Sequence, residues 1–212
     1  MEDDLIAYQI NSKFEQEITI DKTSIVKDFN ERYHVLESNI ILTEKIKRLA
    51  KEKGSNENVI IWNIFGFLNI LEYDLTSVGY NLVFENKRWQ KIYYARQVTL
   101  VMYEAFNDLP EILGKNYKTI FDGIENAKPY IDTLKGYKKD FELLKNTNFE
   151  YLKEIRMNVS AHRDQDIDKQ LEVIRTIDPY KVIRIMFDFE KILRKITDHI
   201  QYYLVHSINV EK

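Results

Sequence analysis

The chain contains no cysteine, and it has only six glycines and three prolines in 212 residues. The lack of cysteine excludes disulfides, thiolate zinc sites and a cysteine nucleophile. All-β folds need many turn residues, so the scarcity of glycine and proline favours long helices joined by few turns. The N-terminus, Met1-Glu2-Asp3-Asp4, lacks the basic-then-apolar order of a secretory signal. Together with the missing cysteines, this predicts a cytoplasmic protein.

Long hydrophobic runs are also missing. The most apolar stretch, Val59 to Leu71, has 13 residues and includes Asn63 and Asn69, whereas a membrane-spanning helix needs about 20 apolar residues. We therefore expect a buried core helix here and no membrane partner. The net charge of -3 gives the chain no overall attraction to nucleic acid.

The composition and the spacing of apolar residues predict an all-α fold in one compact domain. Hydrophobic residues make up 44% and charged residues 31% of the chain, as in folded globular proteins. Apolar residues recur with helical spacing over roughly 23–53, 57–84, 87–113, from 131 onward, in a short segment ending at 176, and from 179 onward. A shorter helix is expected over 117–126. Short connections favour antiparallel neighbours, which predicts an up-and-down bundle of about five or six helices.

Two segments leave alternatives open. Thr147 and Glu150 match a capping box, so a helix either restarts at Asn148 or runs without a break from 131 to 162. Pro129 is expected to mark a break before that helix. Near the N-terminus, Ile18-Thr19-Ile20 is a candidate for a short extended piece.

The stretch Arg156-Met157-Asn158-Val159-Ser160-Ala161-His162-Arg163 is the site-like feature of the sequence. Asn158 precedes His162 by four residues and so shares its face of a helix. Arg156 precedes His162 by six residues, which places it about 120° away around the helix. The two side chains converge if the helix frays after Ser160, or if each meets the equivalent pair of a second subunit.

Arg156, five intervening residues and His162, late in a long helix of an all-α bundle, resemble the Arg-x(4–6)-His signature of HEPN-domain proteins. The residues Ala161-His162-Arg163-Asp164 are similar to the common "aHrD" pattern of the family, and another long helix follows. The resemblance covers about 56–208, which leaves residues 1–55 as an N-terminal helical extension.

The resemblance implies an RNA-binding protein and a metal-independent endoribonuclease of a defence or toxin–antitoxin system, with no cofactor. It implies a homodimer and, in such systems, an antitoxin or other protein partner. His162 would exchange a proton with the ribose 2′-hydroxyl or the leaving oxygen, and Arg156 would hold the phosphate. Asn158, Ser160 and Arg163 would assist in substrate binding. The chain departs from active members at the position after the arginine, where they commonly carry asparagine and this chain has Met157.

Other interpretations compete with this one. The chain is alternatively a non-catalytic interaction module, a homodimer that binds a nucleotide or a protein partner, and Arg156 then pairs with Glu150 or Glu154. Glu104, within the apolar third helix, is expected to meet a charge on a neighbouring helix.

A calcium loop is rejected. Asp164, Asp166 and Asp168 alternate as at the start of an EF-hand loop, but Lys169 and Arg175 stand where such a loop needs glycine and glutamate. We therefore predict no metal site.

Overall fold

The structure is a computed structural model that describes residues 11–13, 15–16, 18–114, 117, 127–160 and 166–208, without the side chains of 159, 160 and 205–208. Within these residues it contains no strand. The helices are α1 (Lys22–Glu52), α2 (Asn56–Phe84), α3 (Arg88–Ile112), α4 (Lys128–Ile155), α5 (Ile167–Thr176) and α6 (Pro179–Ile208), with a π-helical turn at Arg156–Ser160. The predicted all-α helical bundle is therefore confirmed.

Side-chain contacts show that neighbouring long helices run antiparallel. Asn39 of α1 bonds to Asn69 of α2, and Tyr33 of α1 donates to the carbonyl of Thr76 of α2. Earlier residues of α1 thus meet later residues of α2, as in an antiparallel pair. The pairs Tyr103–Phe149 and Phe106–Phe141 follow the same rule for α3 and α4. Antiparallel neighbours joined in chain order give the up-and-down arrangement that short connections favour.

Two helix ends follow their sequence signals. Gly54, just past α1, has a φ of 69°, the left-handed conformation that glycine adopts without steric cost. At the other end of the chain, the Asp178 carboxylate accepts the backbone N–H of Tyr180 at 2.9 Å, and Pro179 is the first residue of α6. Aspartate followed by proline therefore starts this helix as predicted.

The structure decides between the alternatives that the sequence leaves open. The Thr147 hydroxyl donates to the Leu143 carbonyl at 2.8 Å, so it caps no new helix, and α4 continues unbroken to Ile155. Pro129 lies in the first turn of α4, where its missing N–H has no helical partner to lose. Ala127, just before this helix, is not helical, so α4 begins next to the proline. Residues 18–20 are helical rather than extended. The helix expected over 117–126 lies outside the described residues, apart from Tyr117.

α2 is the central helix of the bundle. Its buried side chains pack against α1, α3 and α6, and the core includes Phe65, Leu68, Leu75 and Leu82. By length and composition α2 is the one helix of the described chain that could cross a membrane, but 61% of its most apolar window is buried inside the protein. A core helix was predicted from the Val59–Leu71 run, and this prediction is confirmed.

A charged cluster lies within the interface of α1, α2 and α6. The carboxylate of Glu72 is fully buried and accepts N–H groups from both Arg32 and Arg194, at 2.6 Å from the Arg32 Nε and 3.1 Å from the Arg194 Nε. Arg194 also lies 3.9 Å from the carboxylate of Glu190. One buried carboxylate thus joins three helices, which ties α1 to the rest of the bundle.

Glu190 makes stability depend on pH. The residue is 5% exposed, and among the described residues its Oε1 atom has no hydrogen-bond partner. Burial raises the pKa of Glu190 to about 7, against the opposing pull of Arg194. Because the folded protein keeps this proton at pH values where the unfolded chain has lost it, stability falls as the pH rises from the ordinary carboxyl pKa toward 7.

We therefore expect Glu190→Gln to match the wild type at pH 4 and to exceed it by about 3 kcal/mol at pH 8 in urea unfolding. Glutamine keeps the shape of the side chain but cannot ionise. Glu31→Gln, at an exposed position of α1, is the matched control and should show no such trend. A difference between Glu190→Gln and wild type that stays constant from pH 4 to 8 would contradict the assignment.

Candidate functional site

Arg156 is the first residue of the π-helical turn that follows α4. A π-helix closes i→i+5 hydrogen bonds, is rare, and occurs mostly as single turns that are frequently found at functional sites. The Arg156 side chain is 21% exposed, so it lies in the surface layer of the bundle rather than extending into solvent. The site-like stretch of the sequence therefore begins where the helix geometry changes.

Glu104 of α3 holds the Arg156 guanidinium. Its Oε1 atom accepts from Nε at 3.1 Å and from Nη2 at 2.9 Å. Hydrogen bonds between charged groups are stronger than neutral ones, so this pair fixes the plane of the guanidinium. The carboxylate that pairs with Arg156 is thus Glu104 of α3, rather than Glu150 or Glu154 of the preceding turns of α4. The prediction that Glu104 meets a charge on a neighbouring helix is confirmed.

The Arg156 guanidinium packs against an aromatic ring of α3. The guanidinium carbon lies 5.2 Å from the centroid of the Tyr103 ring, a cation–π distance. Tyr103 in turn stacks on Phe149 of α4, with ring centroids 5.3 Å apart and an interplanar angle of 23°. On its other side, Arg156 Nη1 lies 3.3 Å from the sulfur of Met157. α3 and α4 therefore position the guanidinium jointly.

An open groove of about 570 Å³ lies on the surface of α4 and the π-helical turn, lined by Glu150, Tyr151, Lys153, Glu154, Met157 and Asn158. The Arg156 guanidinium packs against α3 and is not part of this lining. Lys153 pairs with Glu150 at 3.3 Å, so the charges in the groove are partly balanced. Tyr151 is largely buried beneath it: its hydroxyl accepts the backbone N–H of Asp178 at 3.2 Å. Burial raises the pKa of Tyr151 to about 12, so its hydroxyl stays protonated at neutral pH.

Asn158 supports the local backbone. Its Nδ2 donates to the carbonyl of Glu154 at 2.8 Å. An amide carries both a donor and an acceptor, and within the described part of the chain the side-chain carbonyl oxygen of Asn158 accepts no hydrogen bond. A role of Asn158 in substrate binding stays a prediction.

The structure brings only part of the predicted site together. Arg156 and Asn158 share the π-helical turn, and Ser160 is its last residue, although the Ser160 side chain is not described. His162 and Arg163 lie outside the described residues, so the convergence of Arg156 and His162 stays a prediction.

Sequence reasoning missed the support of Arg156 by Tyr103. It singled out Glu104 as an acidic residue in an apolar helix but did not connect it with Arg156, which is 52 residues away.

Comparison with known protein families, with curated proteins and with solved structures gave no match to this chain.

Proposed function

We propose that this chain is a HEPN-like cytoplasmic protein that binds RNA and cleaves it without a metal ion, in a defence or toxin–antitoxin system. The assignment rests on the spacing of Arg156 and His162 in a long helix of an all-α bundle. The observation that supports it best is the guanidinium of Arg156, held by Glu104 and Tyr103 at the end of α4.

The arginine keeps donors for a phosphate. Arginine carries five N–H donors. Within the described part of the chain, three of them point to Glu104 and Met157, so two have no partner there. Two parallel N–H donors suit two oxygens of one phosphate group. Because Glu104 and Tyr103 fix the guanidinium before substrate arrives, little reorganisation is needed when negative charge builds up in the transition state.

In this mechanism His162 acts as the general base or acid. It takes the proton from the ribose 2′-hydroxyl, which attacks the adjacent phosphorus, or it gives a proton to the leaving 5′-oxygen. Arg156 stabilises the charge on the non-bridging oxygens, while Ser160, Asn158 and Arg163 help to bind the substrate. A homodimer that brings two such stretches face to face would supply the histidine in cis or in trans.

Substitution of Arg156 and of His162 tests the proposal. We expect Arg156→Ala and His162→Ala each to slow RNA cleavage in EDTA by about a hundredfold or more, because each removes a group that acts in the transition state. The measurement is single-turnover cleavage of a labelled RNA, with circular dichroism to show that the fold survives. Arg175→Ala is the matched control, since Arg175 is an exposed cation at the end of α5.

Cleavage that persists unchanged in both variants would come from a contaminant and would reject the nuclease. Cleavage that disappears in EDTA would reject the metal-independent mechanism.

A second function, a non-catalytic interaction module, is favoured by a specific observation: the charge of Arg156 is already balanced by Glu104 at 2.9 Å. In that case RNA stays intact at high protein concentration, while the chain forms a stable dimer or a complex with a partner. Sedimentation and cleavage assays on the same preparation separate the two functions.

A further inference from the structure

A second groove, which shares no residue with the Arg156 site, runs along the hairpin of α1 and α2. It has a volume of about 580 Å³. Its apolar wall comes from α2 and includes Trp62, Phe67 and Ile70, and its other rim comes from the end of α1. Ile70 is 50% exposed, although it is a large aliphatic side chain. A half-exposed apolar surface inside a groove is typical of an interaction site.

The two helices meet closely at the floor of this groove. A Cβ atom on Gly66 would lie 2.7 Å from the Cγ2 atom of Thr43, so only glycine allows α1 to approach α2 this closely. Thr43 itself is 7% exposed and packs into the contact. The groove is therefore formed by rigid, closely packed helices, and its walls keep their spacing.

The charges of the groove are one-sided. The α1 rim carries Lys47, Arg48 and Lys51, opposed only by Glu44, whereas the α2 residues that line the groove are uncharged. Lys47 and Lys51 are four residues apart, which places them on the same face of α1, one helical turn from each other. A complementary ligand is thus apolar in its centre and acidic along one flank.

We propose that this groove binds an amphipathic helix of a partner protein, with aspartate or glutamate along one flank. From Ile40 to Lys51 the α1 wall extends about 17 Å, which matches three turns of a bound helix. Helices bind such grooves through apolar residues at i, i+3 or i+4, and i+7.

A second copy of this chain fits the groove less well, because a symmetric contact would bring two cationic rims together. A membrane is flat, whereas this surface is concave. The proposal does not depend on RNA cleavage.

A charge-swap experiment tests it on the full chain. The probe is a stapled helical peptide of about four turns with leucines at i, i+4 and i+7 and glutamates along one flank, and the second probe carries lysines in their place. We expect the glutamate peptide to bind the wild type. Its affinity for the Lys47→Glu/Lys51→Glu variant should be at least about tenfold lower. The lysine peptide should gain about tenfold for the same variant.

Two further variants locate the site. Lys128→Glu/Lys139→Glu reverses the charge of two exposed lysines on α4 and should leave both affinities unchanged. Ile70→Asp should weaken the glutamate peptide, because it removes part of the apolar wall and adds a negative charge to the groove. Circular dichroism checks the fold of each variant.

Several results would overturn the proposal. The cationic rim would recognise no acidic flank if both peptides bound the wild type equally. The same would follow if Lys47→Glu/Lys51→Glu left both affinities unchanged. Tighter binding of anionic lipid vesicles than of the peptide, lost in Lys47→Glu/Lys51→Glu, would assign the groove to a lipid surface. A dimer in sedimentation that Ile70→Asp dissociates would assign it to a second copy.

Discussion

Phe189→Ala is expected to lower the free energy of unfolding by about 4 kcal/mol, since a fully buried phenylalanine loses both its burial and its packing partners. The Phe189 side chain has no exposed surface, and its ring meets Phe106 edge to face with centroids 5.1 Å apart. Phe141 completes the cluster at 6.1 Å from Phe189. These rings come from α3, α4 and α6, so one truncation leaves a cavity where three helices meet.

Urea or thermal unfolding measures this effect, and a melting temperature lower by about 10 °C is expected for a chain of this size. Leu143→Ala is the control, because Leu143 is a large hydrophobic residue that is 69% exposed on α4. A comparable loss for both variants would mean that the three-ring cluster does not form the core of the bundle.

Glu72→Ala should cost about 3 kcal/mol, because it leaves two arginines without their shared carboxylate in a partly buried interface. Arg32, at 16% exposed, cannot return fully to water, whereas Arg194 at 47% can. The Arg32 guanidinium therefore carries most of the penalty. The cost lies at the lower end of the range for broken buried ion pairs, because Arg194 is partly solvated.

Glu31→Ala provides the comparison for Glu72→Ala. Glu31 also pairs with a cation, Lys27 at 3.6 Å, but both side chains are exposed, so a loss below about 0.5 kcal/mol is expected. A double-mutant cycle sharpens the test: Arg32→Ala should be costly in the wild type and nearly neutral in Glu72→Ala. Additive losses would show that the two residues do not interact.

The helices could be predicted because their signals are local. Gly54 ends α1 and Asp178-Pro179 begins α6, and each signal acts through the backbone of the adjacent residues. The Thr147 signal was ambiguous, because a threonine hydroxyl can either cap a new helix or donate to the carbonyl four residues before it within a continuous helix. In α4 it does the latter.

The environment of Arg156 could be predicted only in part. Its partner Glu104 lies on another helix, and no periodicity within α3 indicates which charge on α4 it meets. The buried cluster around Glu72 was missed for a similar reason, since Arg32, Glu72 and Arg194 are far apart in sequence and meet only in the folded bundle. Long-range pairing depends on the relative rotation of helices, which a single sequence does not specify.

The π-helical turn at Arg156–Ser160 has a consequence for chain length. Each turn of this kind holds one residue more than an α-helical turn. A chain that lost one residue here would close an ordinary turn, and α4 with its anchor to Glu104 would stay in place. A one-residue deletion between Arg156 and Ser160 is therefore expected to be absorbed within the turn, without a change in the packing of α4 against α3.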